Sequence, residues 1–194
     1  YPQEKIFDKK IIKLLFPSRL IKEKGILELI KACLLLDEEK IPIKLYIAGK
    51  LDEGNRSSLT KEEITDLKNL KNVHFLGHIE DMRNLYRKID IVVLPSWREG
   101  LSKSLIEASS MQCAIVTTDV PGCKDVITHF KNGILVPVKD VNALKQSIQY
   151  LLNNQEFALK LGIAARKNAI TKFKLSKINK LTLDLYEDIF RKQS

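Results

Sequence analysis

Two glutamates lie eight residues apart and bracket a stretch that could contact an anionic ligand. Glu99 stands in a polar loop after the apolar run 89–94, and Glu107 lies in the helix that the pattern predicts next. Between them, Gly100 lets the backbone turn and approach a ligand closely. A helix start offers unpaired N–H groups and a partial positive charge, which suit phosphate. The spacing therefore indicates a candidate phosphate site.

A structural interpretation of the same stretch stays open. Ser104 followed three residues later by Glu107 matches the capping-box pattern, in which the glutamate only bonds the backbone at a helix start. Glu99 could equally be a solvated loop acid. The spacing of the two glutamates does not decide between binding a ligand and stabilising a helix.

A group of basic residues follows the first predicted strand. Residues 18–25, SRLIKEKG, contain Arg19 and Lys24 and end in Gly25. Arginine can bind phosphate oxygens through two parallel N–H bonds, and lysine adds a mobile charge. Because the carboxyl ends of parallel strands meet at one sheet edge, we expect this loop to lie near Glu99. A solvated basic loop is the alternative.

Strands and helices alternate along the chain, which indicates an α/β fold. Apolar runs predict buried strands at residues 11–17, 43–48, 73–76, 89–94, 114–116 and 133–136. Parallel strands need crossover helices, and these cover both faces of the sheet. We predict a doubly wound parallel six-stranded Rossmann-like sheet with helices on both faces and a helical C-terminus.

Apolar residues at helical spacing predict which helix faces are buried. The predicted faces are Ile26, Ile30, Cys33 and Leu34 after the first strand, Leu101, Leu105, Ala108 and Met111 after the fourth, and Val141, Leu144, Ile148, Leu151 and Leu152 near the end. Asp140 is expected to cap the last of these helices. A Pro121-Gly122 turn is expected between the fifth and sixth strands.

Composition is that of an ordinary globular protein, with 44% apolar and 29% charged residues among 194. No apolar run approaches the roughly eighteen residues that span a bilayer. Cys33, Cys113 and Cys123 show no C-x-x-C spacing, which favours a reducing compartment over disulfides or zinc. We therefore expect a cytoplasmic protein, and peripheral association with the inner face of the membrane stays open.

The net charge of +9 suits several anionic partners, including nucleic acid, lipid headgroups and nucleotide diphosphates. The basic residues are spread along the chain, and no RNA- or DNA-recognition motif occurs, so we expect no nucleic-acid partner. Neither G-x-G-x-x-G nor G-x-x-x-x-G-K-[ST] is present, which disfavours dinucleotide-binding and P-loop proteins.

Four short motifs together resemble a known family. SRLIKEKG, FLGHIED, REGLSKSLIEA and TDVPGCKDVI follow the first, third, fourth and fifth predicted strands. In this order and spacing they resemble the C-terminal, donor-binding domain of retaining family 4 glycosyltransferases, which have the GT-B fold. The resemblance implies that residues 1–194 form one nucleotide-sugar donor-binding domain, without the N-terminal acceptor domain.

The resemblance implies roles for matching residues. Glu99 and Glu107 match the ends of the family's E-x7-E motif, where the first glutamate contacts the sugar and the second binds the ribose hydroxyls. Arg19 and Lys24 match the basic pair that binds the donor diphosphate, so Glu99, Arg19 and Lys24 are the candidate catalytic residues. The remaining expected donor-binding positions are His78 and Ile79 along the base, backbone groups of Gly100, Leu101 and Ser102 at the sugar and distal phosphate, and Leu105.

The expected activity is transfer of a sugar, with retention, from a nucleoside-diphosphate sugar to a glycan or lipid-linked acceptor. Bacterial surface polysaccharide synthesis is the expected context. No D-x-D motif occurs, so we expect neither a metal ion nor another cofactor. This chain alone is expected to bind the donor without turnover. The alternatives are a non-catalytic nucleotide-sugar binding module and half of a GT-B nucleotide-sugar epimerase.

Three positions depart from the family pattern. Ser102 replaces a usual glycine or proline, Gln112 replaces a glycine that normally ends the central helix, and Ala114 replaces a common proline. The first could affect the fit of the donor. We expect the other two to alter local stability more than chemistry.

The predicted C-terminal helix, residues 174–192, has two apolar stripes. Ile178, Leu181, Leu185 and Ile189 form the first, and Leu183, Tyr186 and Phe190 form the second. We expect the first stripe to attach the helix to this domain. The second stripe is expected to be exposed here because it packs on the N-terminal domain, whereas burial of both stripes is the alternative.

Overall fold

A six-stranded, fully parallel sheet forms the centre of the computed structural model, which describes residues 11–193. The strand order is β3-β2-β1-β4-β5-β6, so the direction of winding reverses between β1 and β4. The strands are β1 (Ile12–Phe16), β2 (Ile43–Ala48), β3 (Val73–Gly77), β4 (Ile91–Leu94), β5 (Ala114–Thr118) and β6 (Ile134–Val136).

Helices connect the strands and cover both faces of the sheet. Their bounds are α1 (Ile26–Glu38), α2 (Lys61–Lys68), α3 (Arg83–Arg87), α4 (Lys103–Ser110), α5 (Pro121–Lys124), α6 (Val141–Asn153), α7 (Gln155–Phe173) and α8 (Leu175–Gln193). Helices α1 and α6 pack against each other, and α7 packs against α4 and β5. The predicted doubly wound α/β fold with a helical C-terminus is confirmed.

Continuous apolar runs form the central strands because both faces of the sheet are covered. All four residues of β4 are buried, as are all residues of β1 except the half-buried Lys13. At roughly 25 cal/mol per Å² of buried apolar surface, such strands supply much of the stability of the domain. The carboxyl ends of β1 and β4 are thus held rigidly side by side.

Three details of the helix prediction are wrong. Leu34 is exposed because the buried stripe of α1 follows Ile26, Leu29, Ile30 and Cys33, and Leu34 lies outside it. Leu101 is exposed and precedes α4, whose first residue is Lys103. Pro121 and Gly122 begin the short helix α5 instead of forming a simple turn, since proline is well suited to the first helical position.

The ends of two helices bear on the predictions. Asp140 caps α6 as expected, because its carboxylate accepts a 2.8 Å hydrogen bond from the backbone N–H of Ala143. Gln112, which replaces the usual glycine after α4, has a left-handed φ of 58°. Glycine adopts this conformation without cost, so Gln112 holds it at some expense in stability.

The C-terminal helix is exposed along its length. The predicted second stripe is confirmed as exposed, with Leu183 at 62% and Tyr186 at 56%. The expectation that the first stripe attaches α8 to the domain is wrong, because Ile178, Leu181, Leu185 and Ile189 are exposed as well. The main packing partner of α8 is α7, whose end it follows, so neither stripe lies against the sheet.

Two further observations concern the chain as a whole. Cys33, Cys113 and Cys123 are buried and form no disulfide among the residues that the structure describes. Burial raises the pKa of the Cys33 thiol to about 12 and also raises the pKa of Cys123. Within residues 11–193, no helix combines the length and the apolar character needed to cross a membrane.

Candidate functional site

The loops after β1 and β4 meet at the point where the winding of the sheet reverses. In doubly wound sheets, ligands bind outside the carboxyl ends of the strands at this point. A cleft of about 480 Å³ opens here, a size that suits a small ligand. Its lining includes Arg19, Lys24, His78, Ile79 and Glu107, which are five of the predicted site residues.

An ion pair joins the two loops. Lys24 Nζ lies 2.7 Å from Glu99 Oε1, and only 17% of the lysine side chain and 10% of the glutamate side chain are exposed. The predicted proximity of the basic loop to Glu99 is therefore confirmed, and Glu99 is not a solvated loop acid. An ammonium has three N–H donors and Glu99 accepts from one, so the others can serve a phosphate.

Close backbone contacts fix the geometry of these loops. Gly25 has a left-handed φ of 75°, and a Cβ there would overlap the carbonyl oxygen of Pro95. The carbonyl oxygen of Glu23 accepts a 2.8 Å bond from the Trp97 N–H and a 3.1 Å bond from Ser96 Oγ. Lys24 is thereby placed by its own backbone and does not depend on its ion pair alone.

The segment at the end of β5 and the start of α5 packs directly against the loop that contains Glu99 and Gly100. A Cβ on Gly122 would overlap the carbonyl oxygen of Gly100, so the two backbones are in direct contact. Thr118 Oγ1 donates to the carbonyl oxygen of Ser96. The β4 loop is thus held between the loops of its two neighbouring strands.

Arg19 lies at the outer side of the cleft. Its guanidinium Nη1 is 2.5 Å from Asp52 Oδ2, and 58% of the side chain is exposed. Asp52 also accepts a 2.9 Å bond from Asn55 Nδ2, which anchors it in the loop after β2. Because a guanidinium has five N–H donors, Arg19 can keep this ion pair and still bind a phosphate oxygen.

Glu107 lies in α4 with its carboxylate at the cleft. The capping-box alternative is wrong, because the N-cap of α4 is Ser102 and no side chain caps the helix. The Tyr86 hydroxyl lies 3.5 Å from Glu107 Oε2, and Lys103 Nζ lies 3.7 Å from Glu107 Oε1. Burial, with help from the nearby Glu107 carboxylate, raises the pKa of Tyr86, so this hydroxyl stays protonated and can donate.

The start of α4 supplies backbone donors. The first N–H groups of a helix have no partner within it, and they face negative charge favourably. Gly100 and Leu101 are exposed just before this start, and Ser102 is buried. The side chain of Leu105 is fully buried in the core, so only its backbone N–H in the first helical turn could contact a ligand.

Sequence reasoning missed several residues of the cleft. Asp52 and Tyr86 line it, as do Gly49, Lys50 and Leu51 after β2. The rule that loops at one sheet edge converge could have indicated the β2 loop, because it uses the same edge as Arg19. No local pattern marks Tyr86, which reads as a core residue of α3.

The site contains no recognisable metal centre among the residues that the structure describes. No three His, Cys, Asp or Glu side chains in residues 11–193 are grouped as metal ligands would be. The charged residues that line the cleft are Arg19, Lys24 and Lys50 on the positive side, joined by the α4 start, and Asp52 and Glu107 on the negative side. Such a site can bind a phosphate and a hydroxyl-bearing group together.

The fold and the position of the cleft define the class of protein, a Rossmann-like α/β domain of the kind that forms one half of a GT-B glycosyltransferase. The sequence matches the family Glycosyl transferases group 1 over residues 1–168. The chain therefore belongs to the group 1 glycosyltransferases.

Two bacterial glycosyltransferases are among the proteins that are similar to this chain. It is 28% identical over 158 residues to the capsular polysaccharide biosynthesis glycosyltransferase CapM of Staphylococcus aureus, covering 81% of this chain and 41% of CapM. It is 31% identical to the N,N'-diacetylbacillosaminyl-diphospho-undecaprenol alpha-1,3-N-acetylgalactosaminyltransferase of Campylobacter jejuni, covering 84% of this chain and 41% of that enzyme.

The solved structures that share both fold and sequence with this chain include one with bound ligands. A variant of S. aureus TarM, crystallised with fondaparinux, alpha-GlcNAc-glycerol and UDP, is 26% identical with a TM-score of 0.80. The match covers 96% of this chain and 37% of TarM. The chain thus spans about two fifths of the length of these relatives.

Proposed function

We propose that this chain binds a nucleoside-diphosphate sugar and serves as the donor half of a retaining glycosyltransferase. The observation that carries the proposal is the cleft at the β1–β4 reversal, which brings Arg19, Lys24 and Glu107 together with His78 and Ile79. Basic side chains and a helix start suit a diphosphate, and a carboxylate accepts two hydroxyl hydrogens from a ribose. UDP, which TarM binds, is the first nucleotide to test.

The proposed chemistry depends on charge that develops on the leaving nucleoside diphosphate. Arg19, Lys24 and the N–H groups at the start of α4 would stabilise this charge without a metal ion. Glu99, held by Lys24 beside Gly100, would contact the sugar or stabilise positive charge at the anomeric carbon. Gly100, Leu101 and Ser102 directly follow Glu99 in the chain, so we propose that their backbone groups also lie near the sugar.

The proposed acceptor is a glycan or a lipid-linked sugar of a bacterial surface polysaccharide. Support comes from the relatives, because CapM takes part in capsular polysaccharide biosynthesis and the Campylobacter relative is named for an undecaprenol-linked substrate. Since those relatives are about twice as long as this chain, we propose that transfer also needs acceptor-binding parts that residues 1–194 do not supply. We propose that α8, with its exposed apolar stripes, packs on those parts.

Replacing Glu107 with glutamine tests the ribose contact. Loss of a charged hydrogen-bonding partner should weaken UDP binding by about 1–3 kcal/mol, while thermal stability stays nearly unchanged because Glu107 caps no helix. Calorimetric titration with UDP and with its 2′,3′-dideoxy analogue measures the effect. The analogue lacks both hydroxyls, so the substitution should leave its affinity unchanged. An equal loss for both ligands, or a fall in melting temperature at constant affinity, would exclude the proposed role.

A further inference from the structure

One segment of the chain departs from the otherwise even distribution of charge. Residues 157–183 contain seven lysine and arginine residues and no aspartate or glutamate, although the whole chain has 24 acidic residues. This segment comprises most of α7 and the first half of α8. The net charge of +9 is therefore concentrated in part on these two helices.

Helix α7 has two faces of different character. Its inner face packs against α4 and β5 through small and apolar residues, among them Ala158, Leu161, Ala165 and Ala169. The residues on the opposite side follow one another at spacings of three and four, so they form a continuous stripe. This stripe and the first residue of α8 make up the α7 outer face, which consists of Lys160, Ile163, Lys167, Ile170, Lys174 and Leu175.

The α7 outer face combines exposed aliphatic side chains with unneutralised charge. Ile163 is 59% exposed, Ile170 is 49% exposed and Leu175 is 73% exposed. Each isoleucine has a lysine three residues before it and another four residues after it. None of these three lysines forms an ion pair with any residue in the described range 11–193.

We propose that the α7 outer face binds the surface of an anionic lipid bilayer. The isoleucines and Leu175 enter the boundary between headgroups and acyl chains, where apolar side chains of surface-bound helices are buried. The lysines lay their methylene stems along this apolar surface and keep their ammonium groups at the lipid phosphates. This membrane contact is independent of donor binding, because none of its residues lines the cleft.

The surroundings of an exposed leucine on α1 differ from the α7 outer face in a way that favours a membrane as the partner of α7. Leu34 on α1 is also exposed and has Lys31 three residues before it, but Asp37 and Glu38 lie three and four residues after it. An acidic neighbourhood of this kind is repelled by anionic lipid, whereas the α7 outer face contains no acid. Nucleic acid would use the lysines alone, because its phosphate backbone gains nothing from exposed isoleucines.

Sedimentation with lipid vesicles tests the proposal on the 194-residue chain. The chain should bind vesicles of phosphatidylcholine mixed with phosphatidylglycerol at least about tenfold more tightly than vesicles of phosphatidylcholine alone. Added salt should weaken the binding, because lysine–headgroup attraction at an exposed surface is screened. Equal affinity for both vesicle types, or binding to a single-stranded oligonucleotide and not to vesicles, would overturn the proposal.

Two sets of variants locate the surface. Ile163→Ser with Ile170→Ser, and Lys160→Gln with Lys167→Gln and Lys174→Gln, should each reduce vesicle binding by about tenfold or more. The matched control, Lys31→Gln with Leu34→Ser on α1, should leave it unchanged. All variants should keep the wild-type melting curve and the wild-type affinity for UDP. Measuring UDP affinity separately distinguishes a loss of membrane binding from a loss of donor binding. Undiminished vesicle binding by both α7 variants, or an equal loss in the control, would contradict the placement on α7.

Discussion

Replacing Lys24 with methionine should reduce affinity for a nucleoside diphosphate by about tenfold or more and lower the free energy of unfolding by about 1–3 kcal/mol. Two effects combine, because Lys24 is proposed to bind the diphosphate and is also the cation of a mostly buried ion pair with Glu99 at 2.7 Å. Without it, the Glu99 carboxylate keeps its desolvation cost and loses its partner. Titration with UDP and chemical denaturation measure the two effects.

A double variant separates these roles. Adding Glu99→Gln to Lys24→Met removes the unpaired charge, so stability should recover while nucleotide affinity stays low. Recovery of both would mean that Lys24 serves Glu99 alone and does not bind the diphosphate. Lys124→Met is the matched control, because the Lys124–Asp119 pair at 2.9 Å is about half exposed on both sides. Loss of such a surface pair should change stability by about 1 kcal/mol or less and leave nucleotide affinity unchanged.

Gly122→Ala should displace the loop that contains Glu99 and Gly100. The new Cβ would overlap the carbonyl oxygen of Gly100, and backbone cannot move aside as a flexible side chain can. Overpacking of this kind costs about 1–3 kcal/mol of stability. Because the displaced segment contains Glu99 and Gly100, which we place at the sugar, affinity for UDP-sugar should fall more than affinity for UDP. Calorimetric titration with both ligands measures the difference.

Gly100→Ala is the control for this contact. A Cβ on Gly100 meets no atom within 4 Å, so the free energy of unfolding should stay within about 0.5 kcal/mol of the wild type. If Gly122→Ala leaves both stability and UDP-sugar affinity unchanged, the β5 loop does not support the site as described.

The fold could be predicted because its strands are buried on both faces. Strand β4 is an uninterrupted apolar run, and β2 is interrupted by a single charged residue, Lys44. The regular alternation of such strands with helices leaves few topologies. The buried faces of the surface helices were harder to predict from the sequence. Leu34 fits a helical spacing and is nevertheless exposed, since spacing alone does not say which of two adjacent apolar residues faces the core. Leu101 also fits the spacing, but it lies before the first residue of α4 and is exposed.

The helix α8 shows a different limit of sequence reasoning. Its two apolar stripes were expected to divide between this domain and another, yet both are exposed. An amphipathic pattern identifies surface that is suited to burial, but it does not identify the partner.

The candidate site was predictable wherever position along the chain implies position at the sheet edge. Arg19, Lys24 and Glu99 follow β1 and β4, so the topology alone brings them together. Contacts that depend on packing between distant loops leave no local pattern. The pairing of Arg19 with Asp52 and the close approach of Gly122 to Gly100 belong to this second kind.

Calorimetric titration of the 194-residue chain with UDP, GDP, ADP and the corresponding nucleosides tests the central claim, that the cleft binds a nucleoside diphosphate. We predict that one diphosphate binds clearly more tightly than its nucleoside, that added salt reduces this preference, and that Arg19→Ala weakens the diphosphate without affecting the nucleoside. If no diphosphate binds more tightly than its nucleoside, or if Arg19→Ala weakens both equally, the cleft is not a diphosphate site.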